Sequence, residues 1–151
     1  MIDVRITGAA LDPTAELAAL PRHPGVGAVA SFVGYCRAAA GDEAVIALHL
    51  EEYPQFTARE INRIARAVSA KYALERLLVV HRVGVLAPGE PIVLVAAASA
   101  HRMHAFAAVE AMMDYLKTDA PFWKRERRAS GSVWIEPSEE DRRRRAARSD
   151  T

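Results

Sequence analysis

The chain predicts an α+β fold with a largely antiparallel sheet. Three observations carry this. β-patterned and helical runs follow one another in the order β-α-β-β-α-β-β-α-β. The runs at 77–85 and 92–98 are joined by a linker holding Pro88-Gly89, a turn signal that makes the pair a hairpin. The two long helical runs each gather their apolar residues on one face.

The elements follow in order. Ile2, Val4 and Ile6 alternate with polar residues, which predicts a first strand. Asp12-Pro13 offers an N-cap with proline at the first helical position, so a short helix is expected over 14–20. The β-rich run 25–33 predicts a second strand. Residues 34–43 hold two glycines and few large apolar groups, and read as a loop. A third strand is expected over 44–53, stopped by Pro54. Thr57 and Glu60 are spaced as a capping box, ahead of a helix whose face is Ile61, Ile64, Ala65, Val68 and Tyr72. Ser99 is the expected cap of a long helix ending at Lys117, with an apolar face of Met103, Phe106, Val109, Met113 and Leu116. A short last strand is expected over 132–136. One domain over 1–136 accounts for this pattern, followed by a charged tail, 137–151, that frays or forms an exposed helix.

Bulk properties exclude several classes. A net charge of +1 gives no whole-chain drive toward nucleic acid. No apolar run reaches the ~18 residues that suggest a membrane span. The N-terminus lacks the pattern of a secretory signal. The single cysteine, Cys36, allows no intramolecular disulfide and fits a reducing cytoplasm. The five histidines show no metal-ligand spacing, so no metal is expected.

Local chemistry concentrates in one region. His101 and Arg102 stand at the start of the long helix, where unpaired amides and the macrodipole favour an anion. They also fit a solvated arginine and a hydrogen-bonded core histidine. Lys117 and Lys124 flank the break at Pro121, and residues 117–128 hold five bases and two acids. Such crowding, with partial burial, lowers a lysine pKa and supplies a neutral amine. The alternative is a basic surface patch. Arg37, in the glycine-bounded loop, is a candidate phosphate or carboxylate clamp, or an exposed loop residue. Cys36 beside it raises a rival possibility, a thiol sulfurtransferase.

The motifs taken together point further. Ser99-Ala100-His101-Arg102, Met113-Asp114-Tyr115-Leu116-Lys117-Thr118 and Ala120-Pro121-Phe122-Trp123-Lys124-Arg125-Glu126 resemble the molybdopterin synthase catalytic (large) subunits, the MoaE family. Phe32-Val33-Gly34-Tyr35-Cys36-Arg37, Leu48-His49-Leu50-Glu51-Glu52-Tyr53-Pro54, Val80-His81-Arg82-Val83-Gly84 and Pro88-Gly89-Glu90 match upstream, in the family's order.

The resemblance implies an α/β hammerhead fold with additional antiparallel strands. It implies a cytoplasmic sulfurtransferase that installs the two dithiolene sulfurs of molybdopterin on cyclic pyranopterin monophosphate. The sulfur donor would be the C-terminal Gly-Gly thiocarboxylate of a small ubiquitin-like subunit, with no cofactor. The assembly would be a homodimer within a heterotetramer. By position, Lys117 and Lys124 match the catalytic lysines, and Lys117 is expected to be the principal proton-transfer group. Arg37, His101 and Arg102 match the substrate pocket, and Arg125 and Glu126 complete the Lys-Arg-Glu segment. Tyr35 and Cys36 stand where the family often has a lysine and a small aliphatic residue. A contact at position 35 then falls to the backbone, and a cysteine is not required at 36. A noncatalytic anion-binding scaffold is the alternative from another class. One geometric tension follows: a helix from position 101 to 117 holds its ends ~25 Å apart, which is a reason to expect a dimer.

Overall fold

The computed structural model describes residues 1–21 and 23–148. Its elements are β1 (Ile2–Thr7), α1 (Pro13–Ala18), β2 (Ala28–Tyr35), β3 (Ala39–Ala40), β4 (Glu43–Glu52), α2 (Phe56–Lys71), β5 (Arg76–Arg82), β6 (Gly84–Leu86), β7 (Pro91–Ser99), α3 (Arg102–Thr118), β8 (Phe122–Arg128), β9 (Gly131–Ile135) and α4 (Glu139–Ala147). They build two sheets. The first has the order β1-β5-β7-β2, with β1 parallel to β5 and the other pairs antiparallel. The second runs β3-β4-β8-β9, with β6 also paired to β4, and is antiparallel throughout. The expected α+β class is the observed one.

The main core lies between the first sheet and α2 and α3, centred on Ile61, Leu77, Val95 and Met112. A smaller cluster on the sheet's other face, Leu78, Val80 and Leu94 with Leu11, is capped by α1. α1 begins as its sequence predicts, with Asp12 accepting from the amides of Thr14 and Ala15.

Four local expectations are corrected. The run 77–85 is not one strand: after Arg82 the chain leaves β5, and Gly84, at a positive φ of 94°, turns it into β6 on the second sheet. The Thr57–Glu60 capping box does not form. α2 starts two residues earlier, with Gln55 at the N-cap position, and buried Thr57 instead accepts from the Tyr53 amide at 3.1 Å and donates to the Pro121 carbonyl at 3.2 Å. That bond ties the start of α2 to the start of β8. Ser99 does not cap α3; it closes β7, and His101 takes the N-cap position. The apolar face of α3 is also shifted. Val109 and Leu116 are buried as expected, but Met103 and Phe106 are 75% and 66% exposed, and Ala105, Ala108 and Met112 are buried in their place. The helix lies close on the sheet through its alanines, which a reading weighted by side-chain size passes over.

Two segments gain structure that their sequence did not announce. The expected loop 34–43 contributes the end of β2 and the short β3. The segment after Pro121 is β8, a strand between β4 and β9, so its side chains alternate between two faces. In the tail, Ser138 and Asp141 form a reciprocal capping box that starts α4. Arg145 reaches Asp119 at 2.8 Å and Arg148 reaches Glu110 at 2.9 Å and Asp114, which fastens α4 to α3. Residues 149–151 of the expected tail lie outside the described residues.

Candidate active site

The break at Pro121 brings the two lysines together by different routes. Lys117 comes from the last turn of α3, and Lys124 from the face of β8 that also carries Phe122 and Glu126. Both line a cavity of about 870 Å³, with Arg37, Phe32, Phe106 and Met113 on one side and Asp141 of α4 on the other. An inner lobe of about 450 Å³ shares Arg37, Lys117 and Lys124 and adds Tyr35, Cys36, His81 and Glu126.

The two amines differ in environment. Lys124 is deeply placed; burial first, then the charge of Lys117, lower its pKa from the ordinary lysine value, and Asp141 opposes them. Lys117 is half exposed and lies 3.7 Å from the Asp141 carboxylate. The amine that the fold pushes toward the neutral form is therefore Lys124, whereas the sequence reading placed the principal proton transfer on Lys117.

Arg37 is held through its neighbour. The Cys36 amide donates to the Glu90 carbonyl at 2.9 Å, and the Gly89 amide to the Cys36 carbonyl at 2.8 Å. The Glu90 side chain accepts from the Ala87 amide at 2.6 Å and from the buried Arg82 guanidinium at 3.1 Å. The Arg82–Glu90 pair thus braces the turn on which the end of β2 rests. Cys36 is buried, and burial, aided by Glu126 and Glu90, pushes its thiol pKa up, away from the thiolate that sulfur chemistry requires. Glu126 accepts from the Arg128 guanidinium at 2.7 and 3.0 Å.

Three of the residues singled out from the sequence lie elsewhere in the single chain. Arg125 points to the opposite face of β8, where it meets His49 at 3.0 Å and the Trp134 ring at 5.5 Å. His101 and Arg102 are exposed at the far end of α3 and line neither lobe. Two lining residues had no role in the sequence reading: Asp141, whose signal is the Ser138–Asp141 capping spacing, and His81, within the Val80–Gly84 motif.

His81 is buried, stacked on Phe122 at 4.0 Å between centroids and 16° between planes. Burial dominates its titration and holds its pKa at about 3, with Lys124 acting in the same direction. Unfolding returns the ring to its ordinary value of 6.5, so the unfolded chain binds an extra proton between those values. The stabilisation from a neutral His81 is full above pH ~6.5 and is lost as pH falls toward 3. His81→Phe should flatten that part of the stability curve, measured by urea denaturation across the acid range.

Among the described residues, no group of three or more His, Cys, Asp or Glu is placed to hold a metal ion. No helix among them is long and apolar enough to cross a membrane.

Residues 6–119 match the family model described as MoaE protein. The chain belongs to the MoaE family. A molybdopterin synthase catalytic subunit from Caulobacter vibrioides is 53% identical over 116 residues, 77% of this chain and 76% of that one. The solved molybdopterin biosynthesis MoaE protein from Burkholderia ambifaria superposes with a TM-score of 0.82 at 40% identity, covering 100% of this chain and 99% of that one. A chain from the complex of subunits 1 and 2 of the Helicobacter pylori molybdopterin-converting factor, 21% identical, shares the fold with a TM-score of 0.69 over 89% of this chain and 88% of that one. In this MoaE-family chain the family match ends within the α3–β8 connection. Lys124 and the walls supplied by β8, β9 and α4 lie beyond it.

Proposed function

We propose that this chain is the catalytic subunit of a molybdopterin synthase, a sulfurtransferase acting on cyclic pyranopterin monophosphate. The observation that carries the reading is one cavity holding two unlike lysines beside Arg37, on a MoaE-family fold. The donor is the thiocarboxylated C-terminal Gly-Gly of a small ubiquitin-like subunit, whose extended tail enters the cavity. The complex of two subunits in the H. pylori relative supports a partner of this kind.

The residues divide the work by environment. Arg37 offers a planar, donor-only fork to the cyclic phosphate. The thiocarboxylate sulfur bonds to an oxygen-bearing side-chain carbon of the pterin as the carbon–oxygen bond there breaks, and the departing oxygen leaves with a proton. Water then cleaves the acyl link to the terminal glycine, which leaves as a carboxylate while the sulfur stays on the pterin. Lys117, ion-paired with Asp141, stabilises the oxyanion of that hydrolysis. Lys124 accepts and returns protons. The sulfur arrives already activated, so the chemistry calls for no cofactor.

The reading is tested by anaerobic assay of dithiolene formation with the purified chain, the thiocarboxylated partner and the pterin. Partner binding without product would leave a scaffold role instead. Cys36→Ala is expected to retain nearly full activity in the same assay; loss of sulfur transfer with the fold intact would restore the cysteine-based alternative.

The functional unit is a homodimer, with one small subunit on each large one. In one chain His101 and Arg102 are separated from Lys117 by the length of α3, ~25 Å. A second protomer brings them to the cavity past β2, an edge strand whose Val29 and Phe32 are exposed beside it. Mixing inactive Arg102→Ala and Lys124→Ala chains should then recover part of the activity, because one site of each mixed dimer is intact. No recovery on mixing would confine the site to one chain.

A further inference from the structure

We infer that His81 is a substrate-recognition residue, its Nε2 held open in the inner lobe as a neutral acceptor for an N–H donor on the heterocyclic substrate. This rests on the reading of the cavity as a pterin site.

The tautomer follows from one hydrogen bond. His81 Nδ1 lies 2.8 Å from the Arg82 carbonyl oxygen. A carbonyl only accepts, so the proton sits on Nδ1 and Nε2 keeps a bare lone pair. A half-turn of the ring would keep its stack on Phe122 but would put a carbon against the Arg82 carbonyl and lose that bond. Among the described residues nothing donates to Nε2, Lys124 included.

Nε2 also retains access. The sealed side-chain polar atoms without partners, among the described residues, are Arg76 Nε, Arg82 Nε and Ser99 Oγ. His81 Nε2 is not one of them, although its residue is only 3% exposed. The opening it retains is the inner lobe that the ring lines.

The lobe gives that lone pair a distinct task. Arg37, Lys117 and Lys124 are donors suited to phosphate and to a developing oxyanion. Glu126 is a charged carboxylate, and its Oε2 already takes two hydrogen bonds from Arg128. The neutral Lys124 amine is engaged in proton transfer, whereas His81 offers a standing uncharged acceptor at any working pH. A reduced pterin carries N–H groups along its ring edge and one exocyclic amine, which are donors that the cationic wall cannot satisfy. A site built to accept from a substrate N–H discriminates strongly against a ligand that lacks it.

The experiment is anaerobic calorimetry of cyclic pyranopterin monophosphate binding to the full chain without its sulfur-carrying partner, so that no chemistry follows. Two variants remove Nε2 in different ways. His81→Phe keeps the flat ring on Phe122. His81→Asn keeps an N–H for the Arg82 carbonyl. Each should weaken pterin binding about tenfold, the effect of one hydrogen bond. Both should leave binding of inorganic phosphate within twofold of the parent chain. His81→Gln, which returns an acceptor near the Nε2 position, should recover part of the loss. Pterin binding within twofold of the parent in both Phe and Asn variants overturns the assignment. An equal loss for phosphate also overturns it, because the ring would then be only structural. A parent chain that binds phosphate but no pterin overturns the proposed function itself, a result separate from either.

Discussion

Lys124→Ala is expected to lower the turnover of sulfur transfer by about 10²- to 10⁴-fold, the range for removal of a positioned proton-transfer group. The fold should survive, because the side chain faces a cavity rather than the core. Lys124→Arg should recover little, since a guanidinium stays protonated at every working pH. The pH profile supplies the sign. Only the neutral amine accepts a proton, so the rate rises with pH through the Lys124 pKa, which lies below the ordinary lysine value. Asp141 raises that pKa and Lys117 lowers it. Asp141→Asn should therefore move the rising limb to lower pH. Lys117→Met should move the limb of its residual activity to higher pH. Stopped assays of dithiolene formation between pH 6 and 10 read all three. A limb that stays in place in both variants would remove Lys124 from proton transfer.

Met112→Ala is expected to cost about 2–5 kcal/mol of folding stability, the range for truncating a buried long side chain. Met112 is fully buried in the main core, on the face of α3 where Ala105, Ala108 and Ala111 are also buried. Helix and sheet are already close there, so the space left by truncation is only partly refilled. For a chain of this length the loss corresponds to a fall in melting temperature of roughly 4–20 °C. Activity measured well below the transition should be close to normal, since Met113, not Met112, lines the active cavity. A loss under 1 kcal/mol in urea denaturation would mean that α3 is free to settle onto the sheet.

The first of these outcomes depends on an asymmetry that a linear reading could not assign. Lys117 and Lys124 are seven positions apart with Pro121 between them, and either could be the neutral amine. Burial decides, and burial depends on the pairing of β8 with β4, over 70 residues earlier in the chain. The same pairing sends Arg125 to the face of β8 opposite Lys124 and Glu126, although all three belong to one motif. Alternation along a strand separates what a loop would have kept together. Ser99 and Thr57 failed as helix caps for a related reason: both satisfy local capping patterns, but Ser99 is paired in a sheet and Thr57 bonds to Pro121.

The sequence by itself determined the α+β class, the cap of α1, the apolar face of α2 and the family, because periodicity and motif spacing are local properties. It also identified Arg37, Lys117 and Lys124 as a set. Tertiary structure alone decided which lysine is desolvated, that His81 keeps one open nitrogen and that Asp141 faces Lys117. Solvation and charge at a side chain are set by what packs around it, and here those neighbours come from strands and helices far apart in the chain.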